Sequence, residues 1–267
     1  MFEAHLPSGI VDMLTFVVDH PVLVFLLTVF CMWVAGWFGV LYRNVQKMGD
    51  KEHSDFDVIQ AATLTLLALI IGFSFSMALT RYDQRKNLEE EEANAIGTEY
   101  LRADILPAQD ADRVHALLRQ YTDLRVRFYE THEDDKLQQI NAQTAKTQSE
   151  LWSDLLPYAA AQPTPPMALV LAGMNDVINS QGYTQAAWWN RIPLGAWILM
   201  FLIAFLANVL VGSGGRSTQM KYRFLSILPL VVGVAFMFIA DIDSTRHGLI
   251  RLRAQNLEAL AASLPPQ

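Results

Sequence analysis

Four uncharged runs constrain this chain more than any other feature. Val22–Tyr42 holds 21 residues, Val58–Thr80 holds 23, Ile192–Val211 holds 20 and Phe224–Ala240 holds 17. The hydrocarbon core of a bilayer, about 30 Å thick, takes roughly 17–25 apolar residues as a helix. In lipid every backbone N–H and C=O must bond within the segment, which selects helices over open strands. Buried helices of a soluble protein are the competing explanation, and four such runs in one chain argue against it. Composition agrees: 52% of the 267 residues are hydrophobic and 18% are charged, oilier than an ordinary soluble domain.

The runs divide the chain into a leader at 1–21, a transmembrane helix at 22–42, a short turn at 43–57 and a transmembrane helix at 58–80. A helical soluble insert follows at 81–191, then a transmembrane helix at 192–211, a short basic turn at 212–223, a transmembrane helix at 224–240 and an amphipathic tail at 241–267. The expected fold is an all-α integral membrane protein. It has four transmembrane helices in two hairpins, with the insert between spans two and three. The leader carries Glu3, Asp12 and Asp19 but no Lys or Arg, unlike the basic start of a cleaved signal peptide. Cys31 is the one cysteine. It permits no internal disulfide and no cysteine-based metal site, and reads as a small buried apolar residue.

The insert reads as helical. Pro107 stops one helix, and Asp110 can cap the next, which runs to about Glu130. Its Val114, Leu117, Leu118, Tyr121, Leu124 and Phe128 recur at helical spacing,. Leu137, Ile140, Thr144, Leu151 and Leu155 mark a second helix. QPTPP at 162–166 is a break, and Pro166 suits the first turn of a third helix, with Val170, Met174, Val177 and Ile178, ending near Gly182,. The tail is weakly amphipathic through Leu249, Leu252, Leu257 and Leu260.

Charge adds partners and sides. The net charge is −7, and residues 81–191 hold 17 Asp/Glu against 11 Lys/Arg. That balance argues against nucleic acid. The lipid bilayer is the expected partner, with ions and further copies of the chain. Lys and Arg near span ends set orientation. Arg43, Lys47, Lys51, Arg216, Lys221 and Arg223 in the two turns oppose Arg81, Arg85, Lys86, Arg246, Arg251 and Arg253 on the other side. The counts nearly balance, so the side holding the insert stays open. The expected location is the inner (plasma) membrane, multi-pass.

TRYDQRKNLEEEEANAIG, residues 80–97, sets charge directly against oil. No proline falls between Ala61 and Glu99, so one helix about 58 Å long can run through both. Its end must then project beyond the bilayer. Four consecutive glutamates cover every direction around a helix, so at least one faces the packing side, where an ionised carboxylate needs a partner or water. The segment is either a solvated helix continuing a span or, with copies around an axis, a set of charged rings about a pore. Thr65, Gly72, Ser76 and Asp83 fall near one face of the same helix. Hydroxyls in a membrane helix can line a water path, but more often bond a neighbouring helix or their own backbone.

Other polar residues carry weaker expectations. Asp241 and Asp243 read as aqueous flank at the end of the fourth run. Trp188 and Trp189 before Arg191 read as an interfacial belt. Asn208 reads as a bond between helices. The six histidines, His5, His20, His53, His115, His132 and His247, show no metal-ligand spacing. No phosphate loop, GxSxG elbow or HExxH occurs. Nothing argues for an enzyme, a catalytic residue, a metal or a cofactor.

GFSFSMALTRYDQRKNLEEEEANAIGTEYLRADILP, residues 72–107, is similar to the signature of a bacterial membrane family of undetermined function described as bestrophin-like. The order of elements resembles that family across nearly the whole chain, ending in GLIRLRAQNLEAL. The resemblance implies an oligomeric ion channel whose second span lines the pore and continues into an aromatic and basic segment. It also implies a cytoplasmic insert. RYDQR resembles that continuation at Tyr82, Asp83 and Arg85. Two features differ: the expected tryptophan run is missing, and four glutamates stand nearby. Acid beside a pore repels anions, so the anion selectivity of bestrophins does not carry over directly.

Two functions follow from different classes. One is an oligomeric ion channel or pore of bestrophin-like design. Thr65, Ser76, Arg81 and Arg85 would line its path, and Glu89, Glu90, Glu91 and Glu92 would form a charged vestibule. The other is a non-conducting membrane scaffold or sensor whose insert binds a protein or small ligand.

Overall fold

A computed structural model describes residues 8–45, 50–161, 163–214 and 226–265. Among the described residues every regular element is helical. In chain order these are α1 (Ser8–Asp19), α2 (Pro21–Val45), α3 (Asp50–Arg102), α4 (Ala108–Glu130), α5 (Asp134–Ala161), α6 (Pro165–Trp189), α7 (Leu194–Gly214), α8 (Ile227–Asp243) and α9 (Gln255–Ser263). A single 3₁₀ turn, Ala103–Ile105, follows α3. Residues 46–49 and 215–223 of the expected turns, with Lys47, Arg216, Lys221 and Arg223, lie outside the described residues, as does the start of the leader.

Among the described residues three stretches are long and apolar enough to cross a membrane: Pro21–Tyr42, Asp55–Ile105 and Pro165–Gly214, whose apolar part is α7. The fourth expected run forms α8, 17 residues long. The most consequential element is α3. It is one helix of 53 residues, about 80 Å long, beginning eight residues before the expected span. No proline interrupts it and neither of its glycines has a positive φ. Its most apolar stretch is less buried than that of α2.

The chain divides into two compact units. The first comprises Met1–Arg81 and Arg191–Arg251. Here α2 packs on α7 and α8, with α1 against α2. The α2–α7 crossing is made by glycines: a methyl added at Gly39 would strike the Val209 carbonyl, and one at Gly212 would strike Gly36. Ser213 donates from its hydroxyl to the Gly39 carbonyl at 3.2 Å. Small residues let membrane helices approach until backbones touch. At the α2–α8 crossing Gly233 meets Val29 and Phe25, and Trp197, Phe201 and Phe236 stack in edge or tilted pairs between α7 and α8. Asn208 is fully buried but bonds the Ala204 carbonyl of its own helix at 3.2 Å. Cys31 is exposed on α2 rather than buried.

The second unit comprises Tyr82–Asn190 and Leu252–Gln267. Its core joins Ile96 of α3, Val114, Leu118, Tyr121 and Phe128 of α4, Leu151 and Leu155 of α5, Val170, Met174 and Val177 of α6, and Leu257 of α9. The helical periodicity of α4 and α5 is realised, and α4 ends at Glu130 as its pattern indicates, although Pro107 rather than Asp110 holds the N-cap position. Pro166 falls in the first turn of α6, whose N-cap is Thr164. The α6 helix does not stop at Gly182. It continues to Trp189, because that glycine keeps a helical backbone and touches nothing. Trp188 is not an interfacial residue: it is 5% exposed and packs edge-on against Phe128 and Tyr129. Its neighbour Trp189 is 74% exposed. The tail helix is shorter than its apolar pattern suggests, and Leu249 lies outside it, 82% exposed.

Candidate functional site

At 100° per residue the two sides of α3 separate cleanly. Leu67, Ser74 and Ala78 in the first unit fall on one side, and all are buried. Arg85, Glu89, Glu92, Ile96 and Glu99 continue that side within the second unit, and all are buried. Thr65, Gly72, Ser76, Asp83, Glu90, Asn94 and Leu101 lie on the opposite line, and all are exposed. Their spacings of seven and four residues are close to whole numbers of turns. The exposed line changes character along its length, from apolar and hydroxyl residues to Asp83 and Glu90, with Glu91 exposed beside them.

Arg85, Glu89 and Glu92 each complete another element. Arg85 donates from Nε to the Ala187 carbonyl and from Nη2 to the Asn190 carbonyl, both at 3.1 Å. These carbonyls belong to the C-terminal end of α6, where a cation complements the helix dipole. Glu89 does the converse at α9. Its Oε1 accepts the Asn256 and Leu257 backbone N–H groups at 2.9 Å, and its Oε2 accepts the Asn256 side chain at 2.7 Å. A carboxylate supplied by α3 thus caps the first turn of the tail helix.

Glu92 pairs with Arg125 of α4, both side chains fully buried, and its second oxygen accepts the Thr184 hydroxyl of α6 at 3.1 Å. The Arg125 guanidinium also lies 4.4 Å from the Phe128 ring centre, within cation–π range. Burial alone would lower the arginine pKa, but the attractions of Glu92 and Tyr121 outweigh it and raise the pKa. Burial, reinforced by Glu92, pushes the Tyr129 and Tyr121 phenols above the normal tyrosine range. Tyr121 accepts from Gln148 of α5 at 3.2 Å, so the network ties α3 to α4, α5 and α6. It holds the helices in register, with Glu92, Arg125, Thr184 and Tyr121 all buried.

The remaining polar cluster lies in the first unit, where Asp241 and Asp243 are not aqueous flank: they are 3% and 0% exposed. Asp243 accepts the Ile192 backbone N–H at 3.1 and 3.2 Å and faces Arg191 Nε at 3.7 Å and Arg81 Nη1 at 4.0 Å. Arg191 also pairs with Asp19 at the end of α1. Asp241 accepts the Leu249 and Ile250 N–H groups, shaping the bend after α8. Arg81 further donates to the Met77 sulfur at 3.8 Å. Among the described residues no group of three or more His, Cys, Asp or Glu is placed to hold a metal ion.

The sequence-derived candidates therefore separate. Thr65, Ser76, Glu90 and Glu91 are on the surface. Arg85, Glu89 and Glu92 are inside the second unit, and Arg81 is largely enclosed in the first. The Thr65 hydroxyl bonds the Ala61 carbonyl of its own helix at 2.8 Å. Sequence reasoning missed Glu99, Arg125 and Thr184. Glu99 follows Glu92 by two turns, a spacing that marks it for the packing side.

Comparison with known proteins gives a consistent result. No family model matches the chain, and no curated protein sequence matches it. Among solved structures, a leucine-to-threonine variant of a bacterial bestrophin homologue from Klebsiella pneumoniae superposes with a TM-score of 0.62 at 15% identity, covering 91% of this chain and 97% of that one. Another structure of a bacterial bestrophin homologue from that organism gives 0.61 at 14% identity, covering 91% and 99%. A proline-to-alanine variant described as a membrane protein gives 0.64 at 14% identity, covering 91% and 97%. At these identities it is the arrangement of helices that is shared, and the chain has the fold of the bacterial bestrophin homologues.

Proposed function

We propose that this chain is a four-span protein of the inner membrane that assembles into an oligomeric ion pore, with the exposed line of α3 facing the conduction path. One observation carries the reading. A continuous helix too long for a bilayer is buried along one side and exposed along the other. The exposed side passes from Thr65, Gly72 and Ser76 to Asp83, Glu90 and Glu91. Copies of this helix around an axis would turn the hydroxyls and the acids into successive rings, and rings of carboxylates favour cations. Arg81 and Arg85 sit behind the path as positioning residues, since their charge is engaged by Asp243 and by the α6 carbonyls. Glu89 and Glu92 likewise hold the vestibule wall rather than line it. The permeant species is then a small cation rather than an anion.

The test is purified protein in liposomes under an imposed salt gradient, with the particle mass in detergent measured in parallel. An oligomer that passes potassium more readily than chloride supports the reading. A monomer would end it, because one helix encloses no axis. A folded oligomer that passes no ion would leave the alternative, a scaffold or sensor whose helical insert binds a protein or small ligand.

A further inference from the structure

Glu99 stands apart from the other buried acids on α3. Its side chain is fully enclosed, yet neither carboxylate oxygen has a hydrogen-bond partner. Arg102, one turn on, approaches only to 3.8 Å, beyond hydrogen-bond reach. Across the contact α6 presents Gly173, and a methyl there would occupy the space held by the Glu99 and Arg102 side chains. The glycine therefore lets α6 close directly onto the carboxyl. The neighbouring charges are few. On α6, Asp176 repels the carboxylate. Asp104 of the 3₁₀ turn faces His115 of α4 at 3.5 Å, while His115 and Arg119 of α4 are engaged by Tyr100. Glu89 and Glu92 are hydrogen-bonded where Glu99 has only the distant Arg102 cation, so this carboxyl alone of the three lacks a hydrogen-bond partner.

We propose that Glu99 is a proton-binding site that latches the end of α3 to α6, closed with the carboxyl neutral and released by its ionisation. A neutral carboxyl tolerates the dry contact, whereas a carboxylate there demands water or a full counter-charge. Burial, opposed by Arg102 and aided by Asp176, raises the pKa from 4.5 to about 8; the residue lies 19 positions beyond the expected end of the second span. The sign follows from linkage. The closed contact keeps a proton that the opened, hydrated carboxyl gives up, so opening gains on closure as pH rises from about 4.5 to about 8 and levels off above. The latch stands whether or not the chain conducts. Only its consequence for flow, through the vestibule end of α3, rests on the pore reading.

Hydrogen exchange of the full-length protein in nanodiscs, normalised to intrinsic rates, tests the latch without a flux measurement. Protection at residues 95–102 and 169–177 is expected to fall about tenfold per pH unit between pH 5 and pH 8 and then to level off. Glu99→Gln should remove that slope while keeping the segments protected. A flat wild-type profile, or an unchanged slope in Glu99→Gln, would overturn the proposal. Should Glu99→Gln fail to fold, Arg102→Gln provides the second test, because Arg102 is partly exposed. Loss of that cation should move the levelling-off point to higher pH, and an unmoved one would equally overturn the proposal.

Discussion

Among the described side chains, every buried charge on α3 but one completes another helix. Arg85 closes the end of α6, Glu89 opens α9, and Glu92 joins Arg125 to Thr184. The Glu92–Arg125 pair is the most stringent residue-scale case. Truncating one partner strands a desolvated charge, which typically costs about 3–5 kcal/mol, whereas replacing both with apolar residues is often neutral. Arg125→Met should therefore lower the melting temperature in detergent sharply, and Glu92→Met combined with it should recover most of the loss. A double variant as unstable as the single would contradict the account. For Glu89→Gln the expected cost is about 1–2 kcal/mol, from weakened bonds to the first turn of α9. Faster tryptic cleavage at Arg251 and Arg253 in that variant would report the released tail. The sequence made it legible that a glutamate of the quartet must face the packing side. It could not show which arginine would meet it, because Arg125 lies 33 positions away on another helix. Periodicity specifies a face and says nothing about what covers it.

At the scale of elements, the long apolar runs were legible because lipid imposes one solution on the backbone. The boundaries were less so. The start of α3 at Asp50 precedes the apolar run by eight residues, all polar but Phe56, and hydropathy cannot see helix that continues into water. Likewise Gly182 does not end α6 and Trp188 is not interfacial, because a glycine or tryptophan has its meaning fixed by neighbours, here open space at one and Phe128 at the other. The glycines of α2 and α7 illustrate the opposite limit, a close approach that only coordinates reveal. Gly39→Leu or Gly212→Leu should force the crossing apart and destabilise the protein by about 1–3 kcal/mol, read by thermal unfolding in detergent. Gly72→Ala should leave the isolated protomer as stable or slightly more so, since a methyl there meets nothing and alanine is the better helix former,. A destabilised Gly72→Ala oligomer beside a normal Gly39→Leu protein would invert the expected roles of the two positions.

At the scale of the whole molecule, the exposed line of α3 is proposed to face a cation path. The resemblance read from residues 72–107 agrees with the fold shared with bacterial bestrophin homologues. The surface chemistry is this chain's own: its exposed acids at Asp83, Glu90 and Glu91 sit where Arg81 and Arg85 are turned to other duties. Of the three basic residues there, Lys86 is exposed while Arg81 and Arg85 are engaged inside, a distinction that composition cannot make. The most direct measurement is the reversal potential of the reconstituted protein under a potassium chloride gradient, compared with a Glu90→Lys/Glu91→Lys variant. The account predicts a wild-type reversal near the potassium equilibrium potential and a shift toward the chloride value in the variant. A wild-type reversal near the chloride potential, or a variant indistinguishable from wild type, would contradict it.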